Sequence, residues 1–208
     1  RYYIPNNATL VIVGDVQADE VMRRVRHHFG DIAPGVAVAR RRVEEPAQTA
    51  ERRVRIRREG TTAYLKLAHP APSVVDSGFE AALALDAILT GAKGVNLWSS
   101  FRLPPPQRSA RLYQALVERG LASSVFGVML PTAEPFLYTV SVTATDGTPL
   151  GAIEEVLADG LDRVRRDGVT ERELARAKTQ LRTRLILDDD SITDIAHQLG
   201  YFATVASV

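Results

Sequence analysis

Four histidines, His27, His28, His69 and His197, are the side chains of this sequence best suited to hold a transition metal or to move a proton near neutral pH. A helical zinc site needs two histidines four residues apart with a glutamate between them, in the order H-x-x-E-H, and no such arrangement occurs. His27 and His28 are adjacent, so on a helix they point about 100° apart and cannot share an ion. The sequence has no cysteine, which removes thiolate ligands, disulfides and a thiol nucleophile. Asp188-Asp189-Asp190 offers hard oxygens without the spacing or the glycine of a calcium loop, and fits the acidic start of a following helix. No G-x-S-x-G and no phosphate-binding glycine loop is present. No catalytic residue, metal ligand or cofactor is therefore assigned to this chain.

The stretch with the most chemistry left in it is 92–108. It holds the only tryptophan, Trp98, together with Lys93, Phe101, Arg102, Arg108 and the run Pro104-Pro105-Pro106. The prolines exclude a helix and favour an extended backbone, and long loops in compact domains are disproportionately functional. An aromatic ring flanked by cations suits an unfolded peptide, which makes Lys93, Trp98 and Arg102 the candidate substrate-binding residues. The other cationic feature, the arginines from Arg52 to Arg58, alternates with Val54 and Ile56 between Glu51 and Glu59, the pattern of a charged strand face. With 26 basic against 25 acidic side chains the net charge is +1, so no global field draws nucleic acid or anionic lipid. No apolar run approaches the ~18 residues of a membrane span.

The elements that must position this loop follow from periodicity. Ala8 to Gly14 is an apolar, β-branched run that predicts a buried strand. Val21, Val25 and Phe29 mark a helix ending at Gly30. Residues 36–52 carry no period and read as a linker. Arg53–Arg57 and Thr62–Ala68 predict two strands, and a helix capped by Asp76 runs to about Leu89. Ser109–Arg119 predicts a helix, and residues 124–130 and 136–144 predict a pair of strands around a proline-bounded reversal. Ile153, Val156, Leu157, Leu161 and Val164 form an amphipathic stripe, and Thr170 with Glu173 forms a capping box for the next helix. Ile192, Ile195 and Leu199 mark a last helix. The order predicts an α+β fold, an antiparallel or mixed sheet with helices packed on one face as a two-layer sandwich.

Three segments carry a resemblance to a known family. Arg1-Tyr2-Tyr3-Ile4-Pro5-Asn6-Asn7-Ala8-Thr9-Leu10-Val11-Ile12-Val13-Gly14-Asp15-Val16 resembles the strand that closes the first domain of bacterial insulinase/pitrilysin-type zinc metallopeptidases. The run from Ser109 to Val125, with Arg111-Leu112-Tyr113-Gln114 and Gly120-Leu121-Ala122, resembles a segment of that family's second, non-catalytic domain. Thr170 to Leu181 resembles its "TeeELerAKnqL" motif.

The resemblance implies a division into residues 1–35, the strand–helix tail of a preceding domain; 36–52, a linker; and 53–208, a non-catalytic domain truncated at its C-terminus. The opening residue is not Met and the last lies in an apolar-periodic stretch, so both ends read as cuts. It implies zinc in an upstream domain of the parent protein and none in this fragment. It implies unfolded peptide or protein substrates, and a catalytic domain or partner subunit in a homo- or heterodimer. The opening strand–helix is expected to complete the main sheet. One departure stands out. The arginine and tyrosine that bind the substrate carbonyl near zinc in many relatives are replaced here by Val117 and Ser123. The loop at 92–108 falls where a processing peptidase's non-catalytic subunit has its substrate loop. The second reading is a purely structural, peptidase-like subunit of a larger complex. The alanine- and arginine-rich composition suggests a GC-rich bacterial source and leaves cytoplasm and periplasm equally open.

Overall fold

The computed structural model describes residues 2–39, 45–95, 107–188 and 190–206. The chain divides into two compact units, Arg1–Glu59 and Gly60–Val208.

The opening unit holds a 3-10 turn at Pro5–Asn7 and one helix, α1, Ala18–Phe29. Asn6 clasps the backbone of Gly35, accepting from its N–H at 2.9 Å and donating to its carbonyl at 3.1 Å. None of the unit's described residues is buried. Residues 8–14 and 53–57, expected as strands, form none; Val54 and Ile56 are 84% and 74% exposed. Alternation specifies which side chains a strand would bury, but a strand also needs a neighbour to take its backbone N–H and C=O groups, and the pattern supplies no neighbour. The expectation that the opening strand completes the main sheet falls with it.

The second unit is the α+β sandwich that the periodicity predicts. Its strands are β1, Tyr64–Ala71, β2, Ala122–Met129, and β3, Phe136–Ala144. They form an antiparallel sheet in the order β1-β3-β2. Cross-strand partners share a face, so Leu67, Val140 and Gly127 point one way while Lys66, Ser141 and Phe126 point the other. The first face is sealed. Val140, Val142 and Ala144 meet Leu89 of helix α2 (Phe79–Leu89), Ile153 and Leu157 of helix α3 (Leu150–Asp167), and Leu112 and Leu116. Helix α4, Glu171–Asp188, packs on α2 through Ala177 and Leu181 against Ala87 and Ile88. Helix α5, Ile192–Val205, is capped by Ser191, whose Oγ accepts from the N–H groups of Thr193 and Asp194. The second face of the sheet carries Tyr64, Lys66, Ser124, Thr139, Ser141 and Thr143, exposed or half-buried.

Two helix expectations change in detail. Asp76 does not cap α2; its carboxylate turns back to accept from the N–H and hydroxyl of Ser73, both at 2.8 Å, and the helix starts at Phe79. The expected helix over Ser109–Arg119 is a short π-helical segment, Tyr113–Val117, with Glu118 N–H donating to the Tyr113 carbonyl five residues back. Leu112 and Leu116, four residues apart, both reach the core.

The capping box does more than start α4. The Thr170 N–H and hydroxyl both donate to Glu173 Oε2 at 2.9 Å, and the Glu173 N–H donates to Thr170 Oγ1 at 3.2 Å. Arg111 then binds Glu173 in a bidentate pair, Nε to Oε1 and Nη2 to Oε2, each 2.7 Å, and also reaches the Gly168 carbonyl. The Arg111 guanidinium, ahead of the Thr170 hydrogen bonds and against the opposing effect of burial, lowers the Glu173 carboxyl from 4.5 to about 2. A folded-state value below the unfolded one stabilises the fold above the unfolded value, and that contribution is lost as pH falls through the folded value. The stability gap between wild type and Glu173→Gln should therefore stand at roughly 1–2 kcal/mol near neutrality, discounted for the pair's partial exposure. It should narrow between pH 4.5 and about 2. Urea unfolding at stepped pH measures it, and a gap that stays constant through that window contradicts the assignment.

Candidate functional site

The site grows from the C-terminal end of α2. That helix is apolar almost throughout, with Leu83, Leu85, Ile88 and Leu89, yet Asp86 interrupts it and is 4% exposed. A carboxylate so placed must find partners or lose its charge. It finds two. Thr90 Oγ1 donates to Asp86 Oδ1 at 2.6 Å, and Lys93 Nζ donates to Asp86 Oδ2 at 2.8 Å. Lys93 also donates to Thr90 Oγ1 at 2.9 Å and to the Gly91 carbonyl at 2.6 Å, so all three of its N–H bonds are used. The Phe126 ring lies 5.5 Å from the ammonium, centroid to nitrogen, within cation–π range.

Strand β2 makes room for this cluster with a glycine. A Cβ on Gly127 would overlap Asp86 Oδ1 and Thr90 Oγ1 and would stand 2.9 Å from the Tyr138 hydroxyl. The Tyr138 hydroxyl is buried beside these oxygens and makes no hydrogen bond among the described residues. Burial first, and then the negative charge of Asp86, hold its phenol well above the ordinary value, so it stays protonated.

The same cluster fixes both ends of the stretch singled out from sequence. Gly91 turns the chain at φ +100°, a conformation that favours glycine. Ala92 follows, fully buried, and the Gln107 amide clasps it. Gln107 Nε2 donates to the Ala92 carbonyl at 2.8 Å, and the Ala92 N–H donates to Gln107 Oε1 at 3.1 Å. Residues 92 and 107 are thus held side by side.

Of the three expected substrate-binding residues, Lys93 is 6% exposed with its ammonium committed to Asp86, Thr90 and Gly91. It anchors the start of the stretch from inside the domain. Trp98 and Arg102 lie outside the described residues. Asp86, Thr90, Gln107, Gly127 and Tyr138 were not legible as a group. The usable signal was the single carboxylate in an apolar helix, seven residues ahead of one of the chain's few lysines. At the two departure positions, Val117 is half-buried against the core, and Ser123 is exposed with its hydroxyl donating to the Thr143 carbonyl at 3.3 Å. Among the described residues no three His, Asp or Glu side chains gather to hold a metal ion, so the residues described do not fit a zinc centre. His27 and His28 sit edge to face with ring centroids 5.0 Å apart. Among the described residues, no helix is long and apolar enough to cross a membrane.

A buried ion pair of this kind is costly to break on one side and cheaper to replace whole. Lys93→Met alone should lower stability by about 3–5 kcal/mol, and the double change Asp86→Leu/Lys93→Met should recover much of that loss. Denaturant unfolding of Lys93→Met, Asp86→Leu and the double variant checks it; a double variant as weak as the sum of the two singles would show that the two groups do not act as a pair.

A family model described as "Peptidase M16 inactive domain" matches residues 1–181. The chain is 28% identical over 203 residues to an uncharacterized zinc protease of Mycobacterium tuberculosis, covering 96% of this chain and 43% of that protein. Among solved structures, a protease from Helicobacter pylori superposes with a TM-score of 0.77 at 18% identity, covering 99% of this chain and 47% of that one. A peptidase M16 inactive domain from Pseudomonas fluorescens superposes with a TM-score of 0.65 at 19% identity, covering 93% of this chain and 42% of that one. The chain therefore spans less than half the length of these relatives.

Proposed function

Because this chain belongs to the peptidase M16 inactive domain family, we propose that it is a non-catalytic wall of the substrate chamber of a zinc metallopeptidase, binding unfolded peptide and supplying no catalytic group. The parent's zinc, in this reading, sits in an upstream domain or on a partner subunit. Residues 1–35, with helix α1, are in this reading the tail of that preceding domain, and the remainder makes the dimer contacts.

The observation that carries the reading is the asymmetry of the sheet. One face is sealed by α2 and α3, while the other mixes hydroxyls and a cation, from Ser124, Thr139, Ser141, Thr143 and Lys66, with Tyr64, Phe126, Val128 and Leu137. Such a face offers hydrogen bonds to a peptide backbone without demanding a particular side-chain sequence, which suits an unfolded substrate. Trp98 and Arg102 add the peptide contacts of the 92–108 loop, with Lys93 holding their base. Val117 and Ser123 cannot polarise a scissile carbonyl, so any group that does so in the assembled peptidase belongs to another part of it. Zinc there would activate the attacking water.

The purely structural reading makes a different prediction for a simple titration. A reduced, denatured polypeptide should change Trp98 emission saturably, and Arg102→Ala should weaken that binding about 3–10-fold, the value of one charged contact. A flat response to every extended peptide tried would favour the structural subunit instead.

A further inference from the structure

A groove of about 420 Å³ runs between helix α3 and the segment that carries the π-helical turn, within the size range of small-ligand sites. It belongs to the helix layer, since its two walls pack on the sealed face of the sheet through Leu112 and Leu116 and through Ile153 and Leu157. Its apolar lining is small, with Ala115, Val156 and Gly160 beside Leu112. A Cβ on Gly160 would stand 3.1 Å from Leu112 Cδ2, so the glycine lets the walls approach. Gln114 and Ala115, in the π-helical turn, face into the groove, and such turns are rare and recur at functional sites.

The two walls run antiparallel. The Thr145 N–H donates to the Leu121 carbonyl at 3.1 Å, which sets the end of one wall beside the approach to α3. Arg111 donates to the Gly168 carbonyl at 3.2 Å, which sets the start of that wall beside the end of α3. Arg119 therefore stands at one end of the groove and Asp167 at the other. The lining on α3 runs from Val156 to Asp167, about 16 Å at the helical rise of about 1.5 Å per residue. Charge sorts along this axis. In the middle, Arg163 and Asp159 satisfy each other at 2.7 Å. At one end, Arg111 is already held by Glu173, and Asp167 lies close enough to act on it electrostatically without an ion pair of its own among the described residues. At the other end, Arg119 has no hydrogen-bond or ion-pair partner among the described residues. Single exposed charges are ordinarily left to solvent. These two close opposite ends of one groove with opposite signs.

We infer that the groove binds a short peptide by its two free termini, the ammonium at Asp167 and the carboxylate at Arg119, with small side chains over Ala115 and Gly160. An extended chain advances about 3.3–3.6 Å per residue, so about four residues fill the span. A free amino acid carries both charges and is too short, and a long unfolded chain does not bring its two termini within that distance. Peptide-bond hydrolysis leaves molecules of this charge pattern. The inference does not depend on peptide binding at the open sheet face.

Calorimetric titration of the full chain with tetra-alanine, and with its N-acetylated, C-amidated and doubly blocked forms, tests it. Tetra-alanine should bind saturably, and each blocked terminus should weaken binding about 2–5-fold, the range of an exposed ion pair. Arg119→Gln should cost that factor with tetra-alanine and nothing further with the C-amidated form, and Asp167→Asn should behave likewise with the N-acetylated form. Both side chains are exposed, so neither change should unfold the domain. Absence of saturable binding, equal affinity for the free and doubly blocked peptides, or variants that weaken all four forms alike would overturn the inference. Arg119→Gln should also leave binding of a long denatured polypeptide at its wild-type value. A variant that weakens both would make the groove part of the chamber wall and overturn it as a site of its own.

Discussion

The Asp86–Lys93 pair is the constraint around which the rest of the second unit is arranged. Two charges removed from water destabilise a fold unless nearly every lone pair and proton is matched. Here Asp86 receives Thr90 and Lys93, and Lys93 is matched by Asp86, Thr90 and the Gly91 carbonyl. That matching dictates the surroundings. Helix α2 must end where Thr90 and Gly91 can turn back over its last turn. Strand β2 must carry no side chain at Gly127, because any Cβ there would collide with the oxygens that satisfy the pair. Tyr138 must fill the remaining space with a ring while its hydroxyl stays protonated. A group that costs so much to bury is better understood as fixing one arrangement than as adding stability, and what it fixes is the exit of the chain toward residue 93.

Legibility in the sequence followed the number of neighbours each signal needs. Helix α3 and strand β3 were readable because their apolar stripes face one sealed core, and a helix supplies its own hydrogen bonds. The capping box at Thr170 and Glu173 was readable because it is local; that Arg111, 62 residues away, completes it was not. Residues 8–14 and 53–57 have convincing strand patterns and form no strand, since pairing is a property of two segments and the pattern describes one. Lys93 reads as a free cation in a loop unless it is paired with Asp86, the lone buried carboxylate of an apolar helix seven residues earlier. The helix expected over Ser109–Arg119 contains a π-helical segment at Tyr113–Val117, a widening that no local propensity encodes.

The opening unit poses a physical question of its own. None of its described residues is buried, and Leu10, Ile12, Val36, Val54 and Ile56 are exposed. Ordering a residue costs roughly 1–2 kcal/mol of backbone entropy, and apolar burial is the main term that offsets it. A segment of this composition with no core of its own has the pattern of a folded element and lacks the burial that stabilises one. Its amphipathic α1, with acids in the first turn and bases in the last, shows that the local rules are obeyed.

A domain with no catalytic group can still serve a peptidase, and the kind of service follows from where binding energy acts. Contacts made equally to the ground state and the transition state improve capture without speeding the chemical step. Contacts that hold the substrate in a reactive pose convert binding into rate through orientation. In the proposed reading, the polar side chains of the open sheet face belong mainly to the first kind. A loop with a fixed base can contribute the second, because orientation requires that the contacting residues have a defined origin. Val117 and Ser123 offer no arginine or tyrosine to polarise a carbonyl, so in the proposed reading that task falls to another part of the assembled peptidase.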